Sequence, residues 1–117
     1  MQLEAKKLLF DVQEAGRLIT VFVEGKSFED YLDDPMLRSA VERQLEIVGE
    51  AIGKLRNSAP KVAEAIPEAG KIAAFRNVLA HGYGSVAHDV VWSILETKLQ
   101  PLLQTVGALL PSDPGAS

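Results

Sequence analysis

The spacing of the apolar residues constrains this chain more than any other feature of its sequence. Between residues 3 and 24 they stand at Leu8, Val12, Ala15, Ile19 and Phe22, and the charged residues Glu4, Lys7, Asp11, Glu14 and Arg17 lie on the other face. Alternating gaps of three and four match one face of an α-helix, whereas no useful stretch alternates with the period of two that marks a half-buried strand. The spacing therefore predicts a helical protein.

Three further segments with this period follow in the 117 residues, at about 35–56, 67–81 and from Ala87 onward, with a short helical turn at 61–66. Pro101 is expected to kink or split the last one. A chain of this length suits a single hydrophobic core. We expect an all-α, up-and-down bundle of four principal helices, with residues 1–110 as one domain and residues 111–117 as a mobile tail.

Glycine and aspartate mark the helix ends. Gly25 fits the position after the first helix, residues 27–34 are interpreted as a connector, and Asp33 or Asp34 is expected to cap the helix that starts at Pro35. Gly49 and Gly53 lie one turn apart inside that helix, where each costs about 1 kcal/mol relative to alanine. They predict the close approach of another helix or of another protomer. The simpler alternative is tight packing within one chain.

Composition excludes several classes of protein. The chain has 12 Lys and Arg against 16 Asp and Glu, a net charge of −4, so any nucleic-acid site must be a local patch. It has no Cys, which excludes disulfides, Cys-ligated zinc and a thiol nucleophile. No secretory signal or membrane-spanning run is recognisable, and the expected location is the cytoplasm.

One cluster carries about half of the chain's few reactive side chains: Arg76, Asn77, His81 and Tyr83, with glycines beside them. Arginine can hold a phosphate, and histidine can move the proton of an RNA 2′-hydroxyl or of the leaving oxygen, so this chemistry needs no metal. On an unbroken helix Arg76 and His81 would lie about 140° apart. Either the helix ends at His81, or the same motif from a second subunit completes the site.

The segment RNVLAHGY resembles the signature of the HEPN superfamily, in the form with Tyr two residues after His that marks the HepT-like ribonuclease toxins. The run YLDDPMLRSAVERQLEIVGEAIGKL is similar to that family's second helix, and VVW at 90–92 stands where its members carry Val-Trp. The resemblance spans about residues 3–105. Two positions depart from the family, since Gly82 and Ala87 replace its usual Asp, which leaves Ser85 as the available cap of the last helix.

The resemblance implies a homodimeric, metal-independent endoribonuclease without cofactors, the toxin of a type VII toxin–antitoxin system acting on RNA. Arg76 and His81 would be catalytic, and Asn77 a polar helper. Tyr83 would receive AMP from a partner antitoxin, a minimal nucleotidyltransferase, in a complex of undetermined stoichiometry. The bulky anion would fill the cleft and repel RNA phosphates.

Structural alternatives exist for each residue. His81 could cap a helix end, Arg76 could pair with an acidic residue of a neighbouring helix, and Tyr83 could be an ordinary turn residue. The whole chain could then be a non-catalytic adaptor for a nucleotidyltransferase. We reject a dinucleotide site at GYGSVA because no strand precedes it, a metal site at His81 and His88 because no third ligand is fixed, and a cation site in the acidic residues 29–34.

Overall fold

The computed structural model describes residues 1–80 and 88–111, and in these ranges the chain forms helices and no strands. The all-α prediction is confirmed. The helices are α1 (Leu3–Val23), α2 (Phe28–Asp33), α3 (Pro35–Ser58), α4 (Pro60–Glu64), α5 (Ala69–Ala80), α6 (His88–Thr97) and α7 (Leu99–Leu109). None of the helices within the described ranges is long and apolar enough to cross a membrane. Apart from Pro111, the predicted tail lies outside the described residues.

The predicted helix boundaries of the first half follow from local chemistry. Gly25 adopts a φ of 73° directly after α1 ends, a conformation that costs glycine little. Of the two candidate caps, Asp34 is the one used: its Oδ1 accepts the backbone N–H groups of Met36 and Leu37, each at 3.1 Å. Pro35 occupies the first turn, where its missing N–H costs no hydrogen bond.

The interpretation of residues 27–34 as a plain connector was wrong, because six of them form α2. Ser27 and Asp30 exchange hydrogen bonds between side chain and backbone at 2.9 and 3.1 Å, which completes a capping box. At the other end, the Arg38 guanidinium on α3 donates to the carbonyl groups of Tyr31 and Leu32. Contacts at both ends stabilise a helix too short to persist alone.

The fourth principal helix is split, as Pro101 predicted. α6 ends at Thr97 and α7 begins at Leu99, so that Lys98 lies at the junction. Pro101 falls in the first turn of α7, where a missing N–H is tolerated. Because of the split, α6 packs toward α2 and α7 packs against α1.

The core consists of two clusters along α3. One joins the first half of α1 to the second half of α3 and to Val106 of α7. The other joins the first half of α3 to Ile19, Leu79 and three residues of α6 and α7, namely Val91, Leu95 and Leu99. α3 thus lies between α1 and α5 and supplies apolar side chains to both. The site residues of α5 stand at the end of the bundle that holds the second cluster.

Tyr31 anchors α2 to α6 without a hydrogen bond at its hydroxyl. Its side chain is fully buried, its ring lies 5.3 Å from that of Trp92, and within the described residues Oη has no partner. Burial, helped by the negative charge of Glu42 and opposed by Arg38, raises the pKa of Tyr31 to about 12. In the folded chain, Tyr31 is therefore the neutral phenol.

We expect Tyr31→Phe to raise the free energy of unfolding by about 1 kcal/mol, because it removes a buried hydroxyl that has no partner. The wild-type phenol ionises near pH 10 in the unfolded chain but only near 12 in the fold. Wild type should therefore lose stability faster than Tyr31→Phe between those pH values. Denaturant titrations at pH 7 and across pH 10–12 measure both effects. Tyr31→Ala, which leaves a cavity, should cost about 3–5 kcal/mol, and a destabilised Tyr31→Phe would contradict the prediction.

Candidate functional site

Arg76 and Asn77 lie near the end of α5, and the packing of that helix fixes their directions. Leu79 turns inward and is 9% exposed, whereas Asn77 and Val78 point outward. His81 and Tyr83 follow α5 in the sequence and lie outside the described residues, as do Gly82, Ser85 and Ala87. The structure therefore describes two of the four predicted site residues, Arg76 and Asn77.

The Arg76 side chain is half-buried and forms no ion pair with the described residues. Its Nη1 donates to Oδ1 of the neighbouring Asn77 at 3.3 Å. In residues 1–80 and 88–111, no carboxylate lies within 4.0 Å of the guanidinium. In this part of the chain, Arg76 does not pair with an acidic residue of a neighbouring helix. A guanidinium with free donors can bind a phosphate.

Two carboxylates of α3, those of Glu46 and Glu50, are engaged along their own helix rather than with Arg76. Glu46 accepts from Arg43 at 3.2 Å, and Glu50 lies 3.3 Å from Nζ of Lys54. Both pairs have the spacing of neighbours on one helix face, and both are partly exposed, so each adds little stability. Their consequence for the site is that two nearby acidic groups are already partly neutralised.

Gly49 is where α3 and α5 come closest. A Cβ placed on Gly49 would stand 2.5 Å from Cβ of Arg76 and 3.1 Å from the Ile72 carbonyl oxygen. The predicted close approach is therefore confirmed at Gly49, and it occurs within one chain. At Gly53 the same construction meets only Cβ of Ala73, at 3.8 Å, which is an ordinary contact. Within the chain, Gly53 therefore does not show the predicted close approach, and an approach by another protomer at Gly53 stays a prediction.

A second group of charges lies at the start of α5. Glu68, with a φ of 60°, places its two carboxylate oxygens 3.8 Å from Nζ of Lys71 and 3.7 Å from Nζ of Lys98. One carboxylate thus pairs with two ammonium groups, so Glu68, Lys71 and Lys98 together carry a net positive charge. Lys71 shares the Glu68 carboxylate with Lys98.

An open groove of about 620 Å³ separates α5 from α6 and α7, below this group of charges. Its walls are mainly apolar, with Phe75 and Ile72 on one side and Ile94, Leu99 and Leu102 on the other. α5 is apolar on nearly all of its faces, yet its main packing partner among the described helices is α3. A helix of this composition is typical of a buried position, so part of its surface is suited to a further partner.

His88 begins α6 and packs edge-on against Tyr31, with 6.2 Å between ring centroids. Its Nδ1 is buried and has no hydrogen-bond partner in the described ranges. Those ranges also contain no group of three His, Cys, Asp or Glu that could hold a metal ion. The structure shows His88 as a packing residue of the α2–α6 contact.

Comparison with known proteins decides the family. The model of the HepT-like ribonucleases matches residues 12–109, most of the chain. The chain belongs to the HepT-like ribonuclease family. This agrees with the resemblance carried by RNVLAHGY and by the sequence of α3. The matched region contains Arg76, Asn77, His81 and Tyr83 of this HepT-like chain.

Relatives of similar length support the assignment. A protein of Thermococcus cleftensis named as a probable ribonuclease HepT is 34% identical over 102 residues, which cover 87% of this chain and 92% of the relative. A candidate RNase of Caldanaerobacter subterraneus subsp. tengcongensis is 33% identical over 91 residues, covering 78% and 80%. A candidate RNase of Methanocaldococcus jannaschii is 25% identical over 103 residues, covering 88% and 94%. No solved structure gives a significant match.

Proposed function

We propose that this HepT-like chain is a metal-independent endoribonuclease, the toxin of a type VII toxin–antitoxin system acting in the cytoplasm. Family membership supports ribonuclease activity, and relatives bear ribonuclease names. The observation that carries the assignment to a site is the Arg76 guanidinium, which lacks a carboxylate partner in the described structure. On a net acidic chain, a cation without an acidic partner among residues 1–80 and 88–111 is suited to an anionic substrate.

In the proposed reaction the RNA supplies its own nucleophile. The 2′-oxygen attacks the adjacent phosphorus while its proton is removed, the bond from phosphorus to the 5′-oxygen breaks, and that oxygen receives a proton. The products are a 2′,3′-cyclic phosphate and a 5′-hydroxyl. Arg76 stabilises the charge that builds on the phosphate, His81 moves a proton, and Asn77 assists as a polar group beside Arg76.

A homodimer would complete the site. Five residues separate Arg76 and His81, about 140° on a continuous helix, so one helix face cannot present both squarely. The apolar α5, whose Val78 is 37% exposed, offers a surface on which a second copy can pack. Two copies of Arg76 facing one cleft would concentrate positive charge on a body that carries −4 per chain.

We expect the purified chain to have a mass near twice 12.7 kDa at micromolar concentration. Val78→Glu should shift it to the monomer mass, because a buried unpaired carboxylate on α5 opposes association. Val21→Glu on α1, where the valine is 52% exposed, is the matched control and should remain dimeric. Sedimentation equilibrium measures all three masses, and a monomeric wild type would contradict the dimer.

Expression of the wild type without a partner is expected to stop bacterial growth, and the purified protein should cleave RNA in the presence of EDTA. His81→Ala should lower the cleavage rate by about 10²–10⁴, the range for loss of a general acid or base. Arg76→Met should lower it by about 10²–10³ through lost charge stabilisation. Gel assays with end-group analysis for the cyclic phosphate measure both rates.

The controls for this experiment follow from the ion pairs. Arg76→Met keeps the aliphatic stem and breaks no ion pair in the described structure, so the melting temperature should stay within about 3 °C. Lys54→Met breaks only the exposed pair with Glu50 and should cleave as wild type does. Absence of cleavage and of growth inhibition in the wild type would refute the ribonuclease. It would favour the alternative, a non-catalytic helical adaptor for a nucleotidyltransferase.

The proposed regulator is a minimal nucleotidyltransferase antitoxin that transfers AMP to Tyr83. The phenol oxygen attacks the α-phosphorus of ATP, diphosphate leaves, and the phenol proton passes to solvent. Tyr83 stands two residues after His81, so the added phosphate and adenosine would occupy the space that RNA needs. Their negative charge would also repel the substrate.

Incubation with the partner and ATP should add AMP to Tyr83 and abolish RNA cleavage. Tyr83→Phe should remain unmodified and should still inhibit growth when the partner is co-expressed, because its ring is kept but the acceptor oxygen is lost. Tyr31→Phe is the matched control, since Tyr31 is fully buried and should not be an acceptor. Peptide mass spectrometry locates the group, and modification elsewhere with Tyr83 bare would contradict the proposal.

A further inference from the structure

Gly49 stands directly beneath the first side-chain atom of Arg76. The 2.5 Å between a Cβ built on Gly49 and Cβ of Arg76 is far below the 3.5–4.0 Å or so at which carbon atoms make favourable contact. The second neighbour, the Ile72 carbonyl oxygen at 3.1 Å, belongs to the α5 backbone. Neither atom is the far end of a flexible side chain, so neither can turn aside.

We infer that Gly49 is a positioning residue for Arg76, a role that rests on the proposed catalysis by that arginine. Cβ of Arg76 moves only with the backbone that carries it. A side chain at position 49 would therefore be accommodated by moving or rotating α5 relative to α3. Either change displaces the guanidinium at the end of its long stem. A displacement of about 1 Å from the productive geometry can cost two orders of magnitude in rate.

The charges around the contact sharpen this role. Glu46 and Glu50 stand three residues before and one residue after Gly49, and both are paired along α3. Arg76 lies half-buried against the same helix without a carboxylate within 4.0 Å in the described ranges. Gly49 thus sets how close the guanidinium stem lies to the segment of α3 that carries the paired Glu46 and Glu50.

Gly53 is a natural matched control one turn along the same helix. A Cβ there would meet only Cβ of Ala73 at 3.8 Å, an ordinary van der Waals contact. Replacement by alanine should therefore be accommodated without movement of α5, and helix propensity should favour it. The two glycines lie one turn apart on the same face of α3, and they differ in the α5 atoms that face them.

The experiment compares Gly49→Ala and Gly53→Ala in the full chain, as single-turnover RNA cleavage well below the melting temperature of each variant. Gly49→Ala should cleave about 10- to 100-fold more slowly, with the pH of half-maximal rate unchanged because His81 is intact. Gly53→Ala should cleave within about twofold of wild type. Gly49→Ala at the wild-type rate would overturn the inference.

A double-mutant cycle separates positioning from general damage. If Gly49 acts through Arg76, Gly49→Ala should cause no further loss of rate in the Arg76→Met background. An equal fold-loss in both backgrounds would show that the effect does not pass through the guanidinium. A wild type that is folded, dimeric and inactive would instead refute the proposed function, and the positioning role with it.

Thermal unfolding tests the contact itself without any activity. Arg76→Gly removes the Cβ that Gly49→Ala would strike, so the drop in melting temperature caused by Gly49→Ala should be smaller in the Arg76→Gly background than in wild type. Because it needs no activity, this comparison also tests the contact if Gly49→Ala unfolds at the temperature of the cleavage assay. An equal drop in both backgrounds would refute the Cβ contact.

Discussion

The packing of α3 between α1 and α5 is the arrangement on which the rest of the structure depends. α3 supplies Val48, Ile52 and Leu55 to one core cluster and Val41 and Leu45 to the other. Burial of such side chains contributes most of the stability of a small helical protein, at about 1.5–3 kcal/mol for each large one. Because α5 is fixed against the same helix, the position of the candidate arginine is a consequence of core packing.

Electrostatics adds a second constraint to this frame. The chain is acidic overall, yet Glu46 and Glu50 of α3 pair with basic residues of the same helix, and Glu68 pairs with two lysines. These exposed pairs contribute little to stability. Among the described residues, none of these carboxylates lies within 4.0 Å of the Arg76 guanidinium. A chain with a net charge of −4 can in this way keep one cation available to an anionic ligand.

The sequence was sufficient for the long helices, for a cap at either Asp33 or Asp34 and for the break near Pro101, because each depends on residues within one or two turns. It did not predict α2 or the left-handed Glu68. The capping residues Ser27 and Asp30 were a readable signal for α2, but its anchoring depends on Tyr31 meeting Trp92, about sixty residues away.

The same division applies to the candidate site. The motif from Arg76 to Tyr83 is contiguous in sequence, so the residues could be selected without a structure. The sequence could not show which of the two glycines on α3 meets Arg76, because that depends on the rotation of α5 about its own axis. Gly49 and Gly53 share a helix face, and only the observed register of α5 places Arg76 over the first of them.

The return of α7 to α1 has a consequence for synthesis of the chain. α1, α3 and α5 can pack in the order in which they leave the ribosome, because each meets a neighbour already made. Gly16 on α1, in contrast, lies against Leu103 of α7, and Val12 on α1 shares its core cluster with Val106 of α7. Until α7 is made, a nascent chain exposes this apolar part of α1. Synthesis of α7 therefore ends the exposure of this part to chaperones and proteases.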